Sequence, residues 1–502
     1  MRTGTLRTTE MEEVQLAEVQ RSFSFTSGDR ELAVTGMLQR IETPAIGGDD
    51  ANSLFQQTIA QALDRAREAG QSNPIIVGAI PFDPAEPSCL YIPEHAQWRT
   101  RDIHAKTGMS TLPELIEQKN IPDEQAFKRA VEHAVVNFRH SDVRKAVLSV
   151  QRELIFANDV DVSALQHNLK AQNPSGYHFR VPMPDGTTLI GVSPELLVRK
   201  EGLSSLSNPL AGSAKRMADP EADRRNADWL LTSEKDHYEH GFVTQDIVSQ
   251  LGKLCTQLNV PQRPSLISTP ALWHLSTRIE GTLADPAVSA LQLACRLHPT
   301  PAVCGFPTER ARRLIRFVEP FERGLFTGMV GWCDAQGNGE WVVTIRCGTV
   351  RRNKVRLFAG AGIVEASSPD SEWAEVQTKL GTIVRACGLA HMLPLKPPQA
   401  CENLNDIRAG IDFFDRQILD SLQKRLRYVK AAAQFKANEQ DIPAPERVAA
   451  MLEERRLWAV EAELDVAFVE KLYEQIIHWN IQQQILHWRA TRQPTYSAQA
   501  KS

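Results

Sequence analysis

Two pairs of acids are spaced to act together. Asp236 with Glu239, and Glu372 with Glu375, stand three residues apart in stretches that read as helical. At about 100° per residue, positions i and i+3 share a face, so each pair sets two carboxylates side by side. Like charges so placed repel. A hard cation relieves the repulsion, and magnesium, which takes oxygen ligands and keeps some waters, suits a site that also receives an anionic substrate. A solvated helix face is the other reading of either pair. His237 and His240 flank Glu239, but their spacing is not HExxH and does not point to zinc.

Lys145 opens the β-branched run at 145–149, and Glu195 closes the turn at 191–195. A partly buried lysine can lose its proton near neutral pH and a partly buried glutamate can keep one, the pairing that general base and acid catalysis requires. Spacing does not place the two opposite each other, and a surface strand end stays open for each. Gly360 and Gly362 lie in FAGAGIV at 358–364, read as a strand end opening into a helix capped by Ser368 with Pro369 at its first position. Glycines there would let backbone N–H groups approach a carboxylate, although a tight turn explains them equally well. Arg346 is read inside a strand, where a buried guanidinium needs a carboxylate from a substrate or from a structural acid.

The elements that must position these groups are of mixed type. A helical stretch at 53–69 alternates with β-branched runs at 74–82, 145–154, 187–199, 341–350 and 354–364. Uneven strand spacing, with some strands adjacent in sequence, predicts largely antiparallel sheets with flanking helices in an α+β fold. Residues 1–40 are polar and weakly periodic and are set aside as an uncertain N-terminal segment. The catalytic domain is placed at 41–391, a Pro-rich linker at 392–402, an all-α domain at 403–492 and a tail at 493–502. In the all-α domain Ile407, Ile411, Phe414, Ile418, Leu422, Leu426 and Val429 recur at steps of three and four, the mark of one long helix running to about 441. Helices from about 446 and about 465 follow. Three helices make a thin core, so a homodimer through them is expected. On the long helix Lys436 follows Arg425 by eleven residues, about 1,100° of rotation, and shares its face; Arg408, seventeen residues before Arg425, falls about 100° away. One chain therefore does not aim all three cations at one small ligand.

Hydrophobic residues at 42% and charged residues at 24% indicate neither a disordered nor a fibrous chain. A net charge of -4 with interspersed signs offers no basic stripe for nucleic acid or anionic lipid. No apolar run approaches the roughly 20 residues that span a bilayer, and no signal peptide opens the chain. A cytoplasmic enzyme with small-molecule partners is expected. The eight cysteines show no CxxC spacing and are read as reduced thiols.

GVSPELL at 191–197, PLAGS at 209–213, SEKD at 233–236, LWHL at 272–275, LHPTP at 297–301, GMVGW at 328–332 and FAGAGIV at 358–364 resemble isochorismate synthases of siderophore pathways, in that family's order. The resemblance implies a magnesium-dependent conversion of chorismate to isochorismate on the α+β chorismate-utilising fold. By motif position, Lys145 would activate the water that attacks C2, and Glu195 would protonate the departing C4 hydroxyl. Glu239 and Glu375 would ligate the metal, with Asp236 and Glu372 lining it. Ser213, Arg346, Gly360 and Gly362 would hold carboxylates, and His274 and Lys379 would complete the polar wall. Related synthases that use ammonia lack a lysine at position 145. Val150 and Glu365 depart from the family's usual residues.

Residues 402–492 resemble the isochorismate pyruvate lyase branch of the helical chorismate mutases, through DIR at 406–408, RLRYVK at 425–430, FKA at 435–437, IPAPERVAAML at 442–452, IIHW at 476–479, Gln484 and WR at 488–489. This implies a metal-free pericyclic elimination of pyruvate from isochorismate, leaving salicylate. Arg408, Arg425 and Gln484 would hold the carboxylates, and Lys436 would oppose charge developing at the ether oxygen. The alternatives are a C-terminal chorismate mutase that makes prephenate, or a non-catalytic dimerisation or sensing module.

Overall fold

The computed structural model describes residues 22–103, 108–217, 219–389, 398, 401 and 404–492. Two compact units, Met1–Pro394 and Leu395–Ser502, divide the chain. Of the expected linker, only Pro398 and Cys401 lie among the described residues. No described helix is long and apolar enough to cross a membrane.

The large unit contains sheets of ten, nine and three strands, and the described strand pairs are antiparallel. The mixed α+β architecture is therefore the observed one. One apolar cluster takes Phe25, Phe179 and Val181 from the ten-stranded sheet and Val77, Val330 and Val342 from the nine-stranded sheet, so the two sheets share a core. Each side chain of this size so buried contributes about 1.5–3 kcal/mol. Helices Glu124–His140 and Pro369–Ala386 pack Phe127, Val131, Val376 and Leu380 against Leu148 and Val150. Phe55, Val243 and Leu291, from three other helices, pack against Ile76, Val198 and Trp341 of the nine-stranded sheet.

Ten elements carry the site. The strands are β1 (Lys145–Phe156), β2 (Thr188–Ser193), β3 (Leu196–Glu201), β4 (Leu210–Lys215), β5 (Leu272–Ser276), β6 (Gly339–Val343), β7 (Cys347–Arg351) and β8 (Lys354–Ile363). The helices are α1 (Glu234–Leu251) and α2 (Pro369–Ala386), and α2 has the expected Ser368 cap and a proline in its first turn. Strands β1, β8, β7 and β2 are neighbours in the ten-stranded sheet, β3 and β6 pair in the nine-stranded sheet, and β4 and β5 pair in the small one.

Both β-branched runs expected as single strands are divided. The chain leaves β2 in one large sheet and enters β3 in the other across Pro194 and Glu195, and it makes the reverse passage from β6 to β7 across 344–346. A strand that switches sheets needs a corner. Arg346, expected inside a strand, sits at such a corner with φ +49°, a left-handed conformation uncommon outside glycine. The two corners are tied together, Val192 N donating to Arg346 O at 3.1 Å and Val343 N donating to Glu195 O at 3.1 Å.

Part of the segment set aside at 1–40 belongs to the core. Strands Ser24–Ser27 and Arg30–Thr35 join the ten-stranded sheet, and Phe23 and Phe25 are fully buried. These strands are four and six residues long, too short to impose a period on their surroundings.

The second unit is a set of three helices, α3 (Leu404–Ala432), α4 (Pro445–Glu461) and α5 (Val466–Arg492). The long helix stops earlier than its pattern suggested. A 3₁₀ turn at Ala433–Phe435 closes it, and Lys436 is extended at φ -98°, ψ 120°. The rotation arithmetic that set Lys436 beside Arg425 therefore does not apply. On α3, Ile411, Phe414 and Ile418 remain more than half exposed.

Candidate active site

Where the sheets exchange strands, a cleft is lined by Glu195, Ser213, Glu239, His274, Arg346, Gly360, Gly362, Glu375 and Lys379, all singled out in the sequence. Lys145, the first residue of β1, is fully buried, and its Nζ lies 3.0 Å from Glu239 Oε1 on α1. The contact is an ion pair without hydrogen-bond alignment, since the buried ammonium has no hydrogen-bond partner.

The glycines lie in a strand and not at a tight turn. Gly360 and Gly362 lie inside β8, paired to Ser149 and Val147 of β1, and do not form an anion-binding turn. A Cβ at Gly362 would meet Glu239 Oε1 at 2.1 Å and Lys145 Cε at 3.1 Å; at Gly360 it would meet Ser149 Oγ at 2.7 Å. The missing side chain at Gly362 makes room for the charged pair. The Gly360 carbonyl also accepts from Lys379 Nζ at 2.9 Å. Gly212, at φ +75°, gives similar room to Asp236, whose Oδ1 would lie 2.9 Å from a Cβ there.

Glu195 and Arg346 enter the cleft from the two corners. Burial pushes the Glu195 carboxyl up to about 7, against the Leu210 N–H, Lys145 and Arg346. Burial also brings Arg346 down to about 10, although Glu375 and Glu195 favour its charge. Buried His274 is pushed down to about 3 by desolvation, Arg346 and Lys379, so its ring is neutral near pH 7. Its Nε2 is buried without a partner.

Each of three acids is matched to a lysine. Besides Lys145 with Glu239, Lys379 Nζ lies 2.5 Å from Glu375 Oε1 and Lys235 Nζ lies 2.7 Å from Glu372 Oε1. Burial would raise Glu375, but Lys379, Lys235 and the Ser213 hydroxyl hold it below the ordinary carboxylate range. Glu372 is raised by burial and by Glu375. Asp236 is raised by burial and by Glu239, against the Ser233 hydroxyl that donates to it. Among the described residues, no three His, Cys, Asp or Glu side chains are already gathered as an ion-holding group.

In the helical unit Gln484 is buried on α5, and Arg425 on α3 has Nη1 buried without a hydrogen-bond partner and Nη2 3.7 Å from Met451 Sδ. Burial lowers the Arg425 pKa, and Arg455 lowers it further. Lys436 Nζ donates to the Asp441 carbonyl at 2.7 Å. Arg408 is exposed near the start of α3. Seventeen helical residues put it about 25 Å along the axis from Arg425, so one chain does not bring the pair together.

A family profile described as chorismate binding enzyme matches residues 94–388. The chain belongs to that family. Isochorismate synthase EntC of Escherichia coli K12 is 47% identical over 371 residues, 73% of this chain and 95% of its own. Isochorismate synthase DhbC of Bacillus subtilis is 40% identical over 378 residues, 74% of this chain and 94% of its own. A crystal structure of DhbC from Bacillus anthracis superposes with a TM-score of 0.70 at 39% identity, over 76% of this chain and all of that one. Anthranilate synthase component I of Streptococcus pneumoniae shares the fold, with a TM-score of 0.59 at 20% identity over 72% of this chain and 92% of its own. A second profile, chorismate mutase type II, matches residues 407–485. This chorismate-binding enzyme thus carries a fused helical domain of chorismate mutase type.

Sequence reasoning missed several members of the cleft. Val303, Phe326, Thr327 and Phe358 also line it, Phe326 and Phe358 stacked at 5.1 Å. Behind them the buried Glu319–Arg323 pair donates from Arg323 to the Val147 and Val303 carbonyls and to Thr327 Oγ1. Its only sequence signal is an i, i+4 acid and base pair, the commonest pattern on any helix surface. Lys235 appeared in a motif but received no role.

Proposed function

We propose that the large unit converts chorismate to isochorismate and that the helical unit then eliminates pyruvate from isochorismate to leave salicylate. The observation that carries the first step is a cleft lined by Glu195, Arg346, a neutral His274 and Glu239, with the buried Lys145 behind it, 3.0 Å from Glu239. Lys145, once it has given up its own proton and is the neutral amine, would take a proton from the water that adds at C2. Glu195, whose pKa near 7 lets it keep a proton at neutral pH, would give that proton to the C4 hydroxyl as it leaves as water. Arg346 and Lys379 would bind the substrate's carboxylates, with Ser213, His274 and the backbone at Gly360 and Gly362 completing the wall.

Magnesium fits the donor set. Asp236, Glu239, Glu372 and Glu375 offer only oxygen, and Glu372 Oε2 is buried without a hydrogen-bond partner. Glu239 and Glu375 would hold the ion, with Asp236 and Glu372 around them. When bound, it would neutralise the acids and anchor a substrate carboxylate.

In the helical unit Arg425, Gln484 and Lys436 of one chain, with Arg408 of a second, would hold isochorismate compact for a reaction that needs no acid or base. The half-exposed Ile411, Phe414 and Ile418 support a homodimer through these helices. Working modules at 41–391 and 403–492, the first extended back to include the strand at Ser24–Ser27, match this division of labour. The name of the Vibriobactin-specific isochorismate synthase of Vibrio cholerae, 40% identical over 371 residues, favours a siderophore role. The chorismate mutase profile favours a second reading, in which the helical unit makes prephenate. Incubation with isochorismate and chorismate separately, without metal, tests the two: pyruvate from the first supports the lyase, prephenate from the second the mutase.

A further inference from the structure

Lys235 lies outside the cleft yet is bound into its charge network. It stands beside the Ser233 cap at the start of α1, and its ammonium reaches across to Glu372 Oε1 on α2 at 2.7 Å. The Glu372 side chain is 1% exposed, and its Oε2 is buried with no hydrogen-bond partner. Glu375, one helical turn further along α2, lines the cleft; Glu372 does not. Lys235 instead lines a separate cavity of about 620 Å³ with Tyr238 and Val364. One oxygen of Glu372 is thus tied from behind by a lysine of the facing helix.

We infer that Lys235 is a positioning residue that holds Glu372 back from direct ligation of a cation bound at Glu239 and Glu375. The inference rests on the metal site proposed above. Magnesium takes six ligands in a near-octahedral shell and retains waters. A third carboxylate closing onto it would fill a position and add negative charge where an anionic substrate has to bind. An ammonium 2.7 Å from Oε1 competes with the cation for that oxygen and keeps the Glu372 carboxylate one layer out. Outer partners of this kind change metal affinity by about 10- to 100-fold. The other two lysines do not fit this role, since Lys379 lines the cleft and Lys145 would act on water.

Calorimetric titration of the full chain with Mg²⁺, without substrate, tests the inference, supplemented by water-proton relaxation with Mn²⁺. Lys235→Met keeps the stem and removes the charge. Its metal Kd should tighten about tenfold, its bound Mn²⁺ should lose a water, and its chorismate KM should rise. Adding Glu372→Gln should return the metal Kd to within about twofold of the parent, and Lys235→Arg should stay near the parent. Lys235→Gln, which also removes the charge, should tighten the metal Kd in the same direction, which keeps the test decisive if Lys235→Met does not fold. An unchanged or weaker metal Kd in folded Lys235→Met or Lys235→Gln overturns the inference. A parent chain that binds no Mg²⁺ overturns the metal site itself, a separate result.

Discussion

The carboxylate of Glu239 occupies the space that a side chain at Gly362 would need. A Cβ there would lie 2.1 Å from Glu239 Oε1, with Lys145 Cε at 3.1 Å. The backbone of β8 is paired to β1 on that side, so the carboxylate and the lysine are the parts that would have to yield. Gly362→Ala is expected to lower isochorismate formation roughly 100-fold, the scale of a misplaced catalytic group, while costing about 1–3 kcal/mol of stability. Activity measured beside a denaturant melt checks both.

Glu195 should set the alkaline limb of the pH profile. Its pKa is raised to about 7 and it acts as an acid, so the working protonated form prevails below about pH 7 and is lost above it. The rate of isochorismate formation should fall toward tenfold per pH unit on the alkaline side. Glu195→Gln should remove that limb and lower the rate by about 10²–10⁴-fold, read from rate profiles of the two proteins.

Arg346 is buried, held at a strand corner and lines the cleft, with Glu375 and Glu195 favouring its charge. A hydrogen bond to a charged group is worth about 1.5–3 kcal/mol, so Arg346→Ala should raise the chorismate KM roughly 10- to 100-fold. Arg346→Lys should recover only part of the loss, because a single ammonium does not reproduce a two-pronged guanidinium contact. Steady-state kinetics on the three proteins decides it.

Much of the cleft was legible as residue types. Charge in β-branched surroundings, as at Lys145 and Arg346, needs a partner, and paired acids at helical spacing suggest a shared ligand. What spacing along the chain could not show is the meeting of Glu195 with Arg346. It depends on two passages between sheets, and neither run of residues says which sheet its two halves join. The room that Gly362 leaves was not legible, because the carboxylate it accommodates belongs to a helix more than a hundred residues earlier. The end of α3 before Lys436 was missed because apolar spacing persists through Phe435 while the backbone tightens into a 3₁₀ turn.

The helical unit should need two chains. Arg408 lies about 25 Å along α3 from Arg425, so a site that uses both draws Arg408 from a partner. Arg408→Ala and Lys436→Ala should each abolish pyruvate release from isochorismate while sparing isochorismate formation. Unfolded together and refolded at equal amounts, they should regain about a quarter of the parent rate, since half the dimers are mixed and each mixed dimer has one intact site. No recovery would place Arg408 outside the site.

The most direct measurement is product analysis of the purified chain given chorismate with magnesium, chorismate with EDTA, and isochorismate with EDTA. Salicylate and pyruvate are expected from chorismate only with the metal, and from isochorismate without it. Isochorismate that accumulates unconverted, or prephenate in its place, would contradict the lyase assignment, and chorismate left untouched with magnesium would contradict the synthase.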